Sequence, residues 1–448
     1  MTAGAKATGR GRKGLETSRQ VYPALKAYKI EMEQAKEEGK LIAWCGGGTT
    51  SIEILHAMDI LPQHIDNMAA VFAAKQLSKE YCEAAEEDGL PHDFCSYYRT
   101  MWGYVKVGDK ADPRVASIAW PDPDLIVGSN SVCTTHANGA KMLARHFGVP
   151  VFNFDIPTIH PRMDVHRDPD HRYKEHSHIG TTYPHELEEH YVNYVLEQNK
   201  RFIEFLETVT KRKLDVDRLK EVVSLSSRAS QFFFELQDLR RAVPCPVGGA
   251  DIMSLVTPSF IWAGTERALR IYQEAAAEAR GRVERGEGAI KPEKFRLFFE
   301  SIPPWYNLGL FGYLEDRGAI SVIEAYPLMF CCLMDFEKPL ESLARKQLSW
   351  MYNYSMIERH DFCLRAAETY HLDGAINWNV ICCKIFAGFA PLFRDRFNDV
   401  LNLPVLTLDA DQADPRDYAQ GQVEGRIDAF LELLEQRKDA TVNVGLVA

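Results

Sequence analysis

None of the ten cysteines in this chain is spaced C-x-x-C, which removes the usual zinc pairs and the ferredoxin C-x-x-C-x-x-C run. No apolar stretch approaches the ~20 residues of a membrane helix, so no membrane role is expected. The N-terminal MTAGAKATGRGRKG is basic without an apolar core; it does not read as a secretory signal, and the cytoplasm is the expected compartment. Positive charge is in deficit: 52 Lys and Arg against 63 Asp and Glu leave a net charge of −11. Nucleic acid is therefore not an expected partner, because phosphate binding needs clustered cations. The Walker pattern G-x-x-x-x-G-K-[ST] is missing, so an ATPase reading fails. The glycines at 46–48 do not follow G-x-G-x-x-G either. They fit either an anion-binding strand–helix junction or a tight turn capped by Thr49, Thr50 or Ser51.

What is present is globular. Of 448 residues, 46% are hydrophobic and 26% charged, enough for large cores in two or three domains. LIAWC (41–45), DLIVGS (124–129) and VPVFNFD read as strands, interleaved with the helices SIEILHAM and NGAKMLARHFG. Strand–helix alternation at this spacing predicts βαβ units and a parallel sheet. Helical periodicity takes over in ELEEHYVNYVLEQNKRFIEFLETV, in LDVDRLKEVVSLSSRASQFFFELQDLRR and in TPSFIWAGTERALRIYQEAAAEARGRVERG, the last read as one long helix. Alternation resumes with the strands FRLFFES, AISVIEAY, GAINWNVI and PVLTLDAD, and no internal sequence repeat is visible. The expected organisation is a disordered or partner-ordered tail (1–18), an N-terminal α/β domain (19–185), a helical region (186–290) and a C-terminal α/β domain (291–448).

Two groups of residues suggest chemistry. Five histidines fall between His160 and His178 (His160, His166, His171, His176, His178), with His185 and His190 beyond. The HELEEH pair diverges by about 140° on a helix, so a polar surface or interface loop is the expectation. The cysteines divide by context. Cys82, Cys245, Cys331, Cys332 and Cys363 sit in apolar or helical surroundings and read as small buried hydrophobes. Cys95, Cys133 and Cys383 fall where loops should leave strands or begin helices. Ligand sites in open α/β sheets form outside the carboxyl ends of strands, so these three thiols can either face one cleft or be core filler. Soft thiolates in such a cleft would select an iron–sulfur cluster or zinc.

HDFCSYYRTMWG, PDLIVGSNSVCTTH and DGAINWNVICCK resemble the three cysteine segments of the 2-hydroxyacyl-CoA dehydratase and benzoyl-CoA reductase superfamily. IEILHAMDILP resembles its N-terminal glutamate signature, with Glu53 on the second glutamate and Asp59 in place of a glycine. LDVDRLKEVV, PCPVGGADIM and PPWYNLGLFGYLEDRGA fit further blocks, so that the resemblance spans roughly residues 25–435 and points to the B-type subunits of ATP-dependent (class I) benzoyl-CoA reductases. It implies two Rossmann-like or flavodoxin-like parallel-sheet domains with a helical middle layer. A [4Fe-4S] cluster would lie in the cleft between them, on Cys95, Cys133 and Cys383. Cys382 is extra; on an extended chain, alternation would let only one of the two adjacent thiols face the cleft. The implied activity is single-electron, low-potential reduction of an aromatic acyl-CoA to a cyclic dienoyl-CoA in anaerobic aromatic degradation. The alternatives are an (R)-2-hydroxyacyl-CoA dehydratase subunit and an electron-transfer or scaffold subunit. The implied partners are a homologous cluster-bearing subunit, ATP-hydrolysing electron-activating subunits and ferredoxin. Proton-donor candidates near the motifs are Glu53, His56, Tyr97, Tyr98 and His136.

Overall fold

The computed structural model describes residues 11–48, 51–110, 112–131, 133–159, 189–354 and 356–445. The histidines from His160 to His185, as well as Thr49 and Thr50, lie outside the described residues.

Eight strands form two four-stranded parallel sheets. The first contains β1 (Ile42–Cys45), β2 (Leu61–His64), β3 (Leu125–Ser129) and β4 (Val151–Phe154), in the order β2-β1-β3-β4. The second contains β5 (Phe295–Glu300), β6 (Ala319–Glu324), β7 (Gly374–Val380) and β8 (Val405–Ala410), in the order β6-β5-β7-β8. The two halves repeat one topology without repeating a sequence. Every residue of β1, β3, β5 and β6 is buried, because helices cover both faces of a parallel sheet and the strands can then be apolar throughout. In each half the chain leaves the first and third strands toward opposite edges. The β1/β3 and β5/β7 junctions are therefore topological switch points, where a crevice opens outside the strand ends.

β2 was not visible in the sequence. Its residues, LPQH, lack β-branched side chains and include a proline, which an edge strand tolerates because one side of its backbone has no ladder partner. The long helix expected across 257–286 is two helices, Thr257–Ile261 and Glu266–Glu284. Gly264 takes a left-handed φ of 85° between them, and the Thr265 hydroxyl caps the Ala268 amide. Residues 11–18, expected in the tail, are packed instead. The Asp251 carboxylate accepts both the Gly14 and Leu15 amides at 3.0 Å, Leu15 is fully buried, and a helix starts at Glu16.

The helices Val216–Leu239 and Glu266–Glu284 pack together as the middle layer, and Glu189–Thr210 packs on Pro339–Leu348. One apolar core runs from Trp44 and Ile126 of the first sheet to Phe298 and Ile376 of the second. Among the described residues, no helix is long and apolar enough to cross a membrane.

Buried polar contacts join the halves at several places, one of them beside Cys95. The start of helix Ser96–Val107 meets the loop 411–414: Ser96 Oγ donates to Asp411 Oδ1 at 2.5 Å, and the fully buried Arg99 donates to Asp414 at 2.7 Å and Glu86 at 2.6 Å. Cys95 immediately precedes this seam.

Candidate functional site

Three cysteines mark the ends of local elements. Cys133 follows β3 and occupies the N-cap of helix Thr134–Phe147, where its sulfur accepts the Thr135 amide at 3.4 Å. Cys95 is the N-cap residue of helix Ser96–Val107, and Cys383 that of the short helix Lys384–Ala387. All three line one narrow cavity of about 60 Å³ at the facing switch points, together with Cys382, Asp66, His136 and Gln412. The walls are rings: Tyr97, Tyr326, Phe330, Trp350, Tyr352 and Phe386. Trp350 reaches across from the C-terminal half to Gly48, where any Cβ would overlap its ring. The glycines after β1 therefore serve close approach. Ser51 sits at the N-cap of helix Ile52–Ala57 but sends its hydroxyl to Asn199 Oδ1 at 3.1 Å, leaving the expected side-chain cap unmade.

The expectation that only one of Cys382 and Cys383 faces the cleft is overturned, because both line the cavity. β7 ends at Val380, and residues 381–382 form a turn in which strand alternation no longer applies. The two thiols still differ. Cys382 is buried with its sulfur 3.5 Å from Gln412 Oε1, and the same amide donates through Nε2 to Cys95 at 3.6 Å. Cys383 is partly exposed. Burial, then the neighbouring Cys382, pushes Cys383 up to about 12. At Cys95 a hydrogen bond from Cys382 acts to lower the thiol, but burial and the Cys383 and Cys133 thiols outweigh it and the net shift is upward. Both shifts favour the neutral thiol at Cys95 and Cys383; a positively charged centre would draw off their protons.

The structure sorts the proposed proton donors. Tyr97 lines the cavity and its hydroxyl accepts the Trp305 indole N–H. His136 also lines it, with Nδ1 3.8 Å from Asp66 Oδ1. Tyr98 is fully buried and donates to the His136 carbonyl at 3.2 Å, one layer behind. Glu53 and His56 are not brought to the thiols. Glu53 is buried against Lys346 at 2.5 Å and accepts Ser226 Oγ at 2.7 Å. His56 bonds the Ile261 carbonyl at 2.8 Å and borders a separate pocket beside Asp59 and Arg218.

Asp66, Tyr97 and Tyr326 also line a second cavity, of about 700 Å³, between the N-terminal helix and residues 253–260. Apolar side chains such as Leu25, Val256 and Phe260 line it, along with four cations, Lys13, Arg19, Lys26 and Lys75. Neither Asp66 nor this second cavity was legible in the sequence, since Asp66 follows the unrecognised strand β2. A third cluster, Glu86, His92 and Asp414, brings three hard ligand atoms within 4.8 Å of one another. Its carboxylates are already taken by Arg99 and Arg416, so it is a charge-compensated ion-pair network.

Fold and site together define a two-sheet α/β protein with a thiol-lined crevice between facing strand ends. The chain belongs to the family described as 2-hydroxyglutaryl-CoA dehydratase, D-component, whose model matches residues 49–434. It is 24% identical to the (R)-phenyllactyl-CoA dehydratase alpha subunit of Clostridium sporogenes, over 91% of this chain and 93% of that protein. It is likewise 24% identical to the lactoyl-CoA dehydratase alpha subunit of Anaerotignum propionicum, over 90% and 93%. A benzoyl-CoA reductase subunit of Thauera aromatica, of the B type, is also 24% identical, over 79% of each chain. Each relative is named as one subunit of a larger enzyme of acyl-CoA metabolism.

Proposed function

We propose that this chain is a subunit of an (R)-2-hydroxyacyl-CoA dehydratase, removing water from a 2-hydroxyacyl thioester at a [4Fe-4S] cluster held by Cys95, Cys133 and Cys383. The observation that carries this reading is the meeting of two cavities at Asp66, Tyr97 and Tyr326. The larger offers apolar walls and cations suited to a long anionic carrier such as coenzyme A, and the smaller offers thiols behind aromatic walls. An acyl group delivered through the first would reach the second.

The donor set fits the cluster. It consists of three soft sulfurs at element ends, in a cavity whose aromatic walls keep water away. A single ion with bonds of ~2.3 Å would hold thiolates under ~4 Å apart. Among the described residues the cysteines do not form a set within 4.8 Å, which favours a multi-iron core. When bound, such a cluster supplies single electrons at low potential to the thioester. The chain's own residues bind the carrier's phosphates, hold the acyl group against the aromatic wall and exclude solvent. Separate ATP-hydrolysing activating subunits, ferredoxin upstream and a homologous cluster-bearing chain as the immediate partner complete this reading, and the missing Walker motif fits that division.

A second reading, as part of an ATP-driven benzoyl-CoA reductase, is favoured by the six aromatic rings around the thiols, which suit a flat acyl group. The test is the anoxically purified complex, with activating subunits, MgATP and a low-potential reductant, supplied with (R)-2-hydroxyacyl-CoA esters and with benzoyl-CoA. Enoyl-CoA product supports the dehydratase. A cyclic dienoyl-CoA from benzoyl-CoA replaces it with the reductase, and neither product defeats both.

A further inference from the structure

At the junction of the two cavities the fold leaves a buried polar atom, Asp66 Oδ1, without a hydrogen-bond partner; beside it His136 Nδ1, on the thiol cavity, and His64 Nδ1, behind the cavity wall, are unpartnered too. His64 Nδ1 lies 3.8 Å from Asp66 Oδ2 and His136 Nδ1 lies 3.8 Å from Asp66 Oδ1, both beyond hydrogen-bond range. The side chains are enclosed, with 9% of Asp66 and 1% of His64 exposed. Orphaned buried polar groups are rare because each costs about 1–3 kcal/mol. Asp66 Oδ1 and His136 Nδ1 both face the thiol cavity unpartnered, which indicates that a ligand's polar group completes the pair.

The chemistry of the set selects what enters. The ring nitrogen His64 Nε2 faces the Gly47 carbonyl at 3.3 Å, an acceptor, so Nε2 carries the proton and Nδ1 is the lone-pair side. Among the described residues no Lys or Arg is paired with Asp66, and burial pushes its carboxyl up to about 8. Burial thus favours the protonated form of the Asp66 carboxyl, which has an O–H to give, and His136 Nδ1 lies beside it on the thiol cavity. A neutral acid that faces a cavity in this way can serve as a hydrogen-bond donor to a developing oxyanion.

Resting on the acyl-CoA reading above, we propose that the Asp66 carboxyl donates a hydrogen bond to the thioester carbonyl oxygen of the bound acyl-CoA. That oxygen gains negative charge in both hydroxyacyl dehydration and ring reduction, so the assignment does not depend on which of the two occurs. The donor also sets register: a carbonyl held at Asp66 aims the acyl group at the thiols while the thioester sulfur and carrier extend into the larger cavity.

The experiment uses the anoxic complex without MgATP or reductant, so that nothing turns over. Acyl-CoA labelled with ¹³C at the thioester carbonyl is titrated in, and the carbonyl stretch is followed by isotope-edited infrared spectroscopy. Wild type is expected to bind with the stretch moved to lower wavenumber. Asp66→Ala loses that displacement and binds about tenfold more weakly, the equivalent of one hydrogen bond. Asp66→Asn keeps a donor and stays within about threefold of wild type, which also covers the case of a poorly folded alanine variant. Unchanged iron content in both variants identifies the effect as local. An Asp66→Ala complex with the wild-type stretch and affinity overturns the Asp66 assignment alone. Wild-type complex that binds no acyl-CoA overturns the acyl-CoA reading beneath it.

Discussion

Replacing Lys346 with methionine tests whether Glu53 serves folding or chemistry. Glu53 is 1% exposed on helix Ile52–Ala57, and the Lys346 ammonium reaches it at 2.5 Å from the helix Pro339–Leu348. Burial works to raise the Glu53 carboxyl, but the Lys346 charge and the hydrogen bonds from Lys346 and Ser226 outweigh it and hold the group below its ordinary range. Removing the cation leaves a buried carboxylate with one hydroxyl partner, a lesion that costs about 3–5 kcal/mol. The variant can escape part of this by protonating Glu53. At pH 7 that costs ~3.4 kcal/mol for a carboxyl whose unfolded pKa is about 4.5, at 1.36 kcal/mol per unit. The expected loss for Lys346→Met is therefore about 3 kcal/mol at pH 7. Adding Glu53→Gln removes the stranded charge, and the double variant should recover at least half of the loss.

The pH dependence has a defined sign. In wild type the pair's contribution is present above the unfolded carboxyl's pKa and is lost as pH falls through the lower folded one. In Lys346→Met burial is opposed only by the remaining hydrogen bonds, so protonation becomes easier as pH falls and the gap to wild type narrows from pH 7 to 5. Urea unfolding followed by tryptophan fluorescence under anoxia gives the numbers. A single variant within 1 kcal/mol of wild type, or a double variant no more stable than the single, would refute the reasoning. The folded double variant should also keep its iron and its turnover, since Glu53 does not line the thiol cavity.

Three further outcomes are expected. Cys95→Ala, Cys133→Ala and Cys383→Ala should each lower bound iron in the anoxic protein, whereas Cys382→Ala, whose sulfur sits on Gln412, should retain it; iron analysis and electron paramagnetic resonance decide. Gly48→Ala places a methyl inside the Trp350 ring and should destabilise by at least 1–3 kcal/mol while shifting tryptophan emission, an effect absent at the open Gly421. His64 is held down to about 3, by burial first and then by neighbouring His136. The unfolded chain protonates near 6.5, so stability should decline as pH falls below that value, by about 2 kcal/mol at pH 5 from this residue alone. His64→Gln should flatten the decline between pH 6.5 and 5, and parallel curves would defeat the assignment.

The strands β1, β3 and β4 to β8 were legible because each is a short apolar run between turn signals, and the alternation with helices implied parallel sheets. β2 was not, because LPQH carries no strand signal and is held by pairing with β1. The break at Gly264 was hidden within a continuous helical period. Cys133 and Cys383 could be placed at loop junctions from the strands that precede them, and the cysteine segments together indicated the family. Glu53 and His56 lie in the same stretch of chain as the glycine turn, yet the helix that carries them directs both away from the thiols.

The sequence by itself therefore determined the class of fold, the superfamily and three thiols at element boundaries, since these follow from short-range periodicity and residue type. Tertiary structure decided that the thiols share one cavity, that Cys382 joins them through a turn, and that Glu53 is consumed by Lys346. It also decided that Asp66 is an uncompensated acid where two cavities meet. The physical reason is that desolvation and charge pairing are sums over neighbours from distant segments. Asp66 takes its character from burial among residues such as His136 and Tyr326, which come from distant segments and which no local pattern around residue 66 encodes.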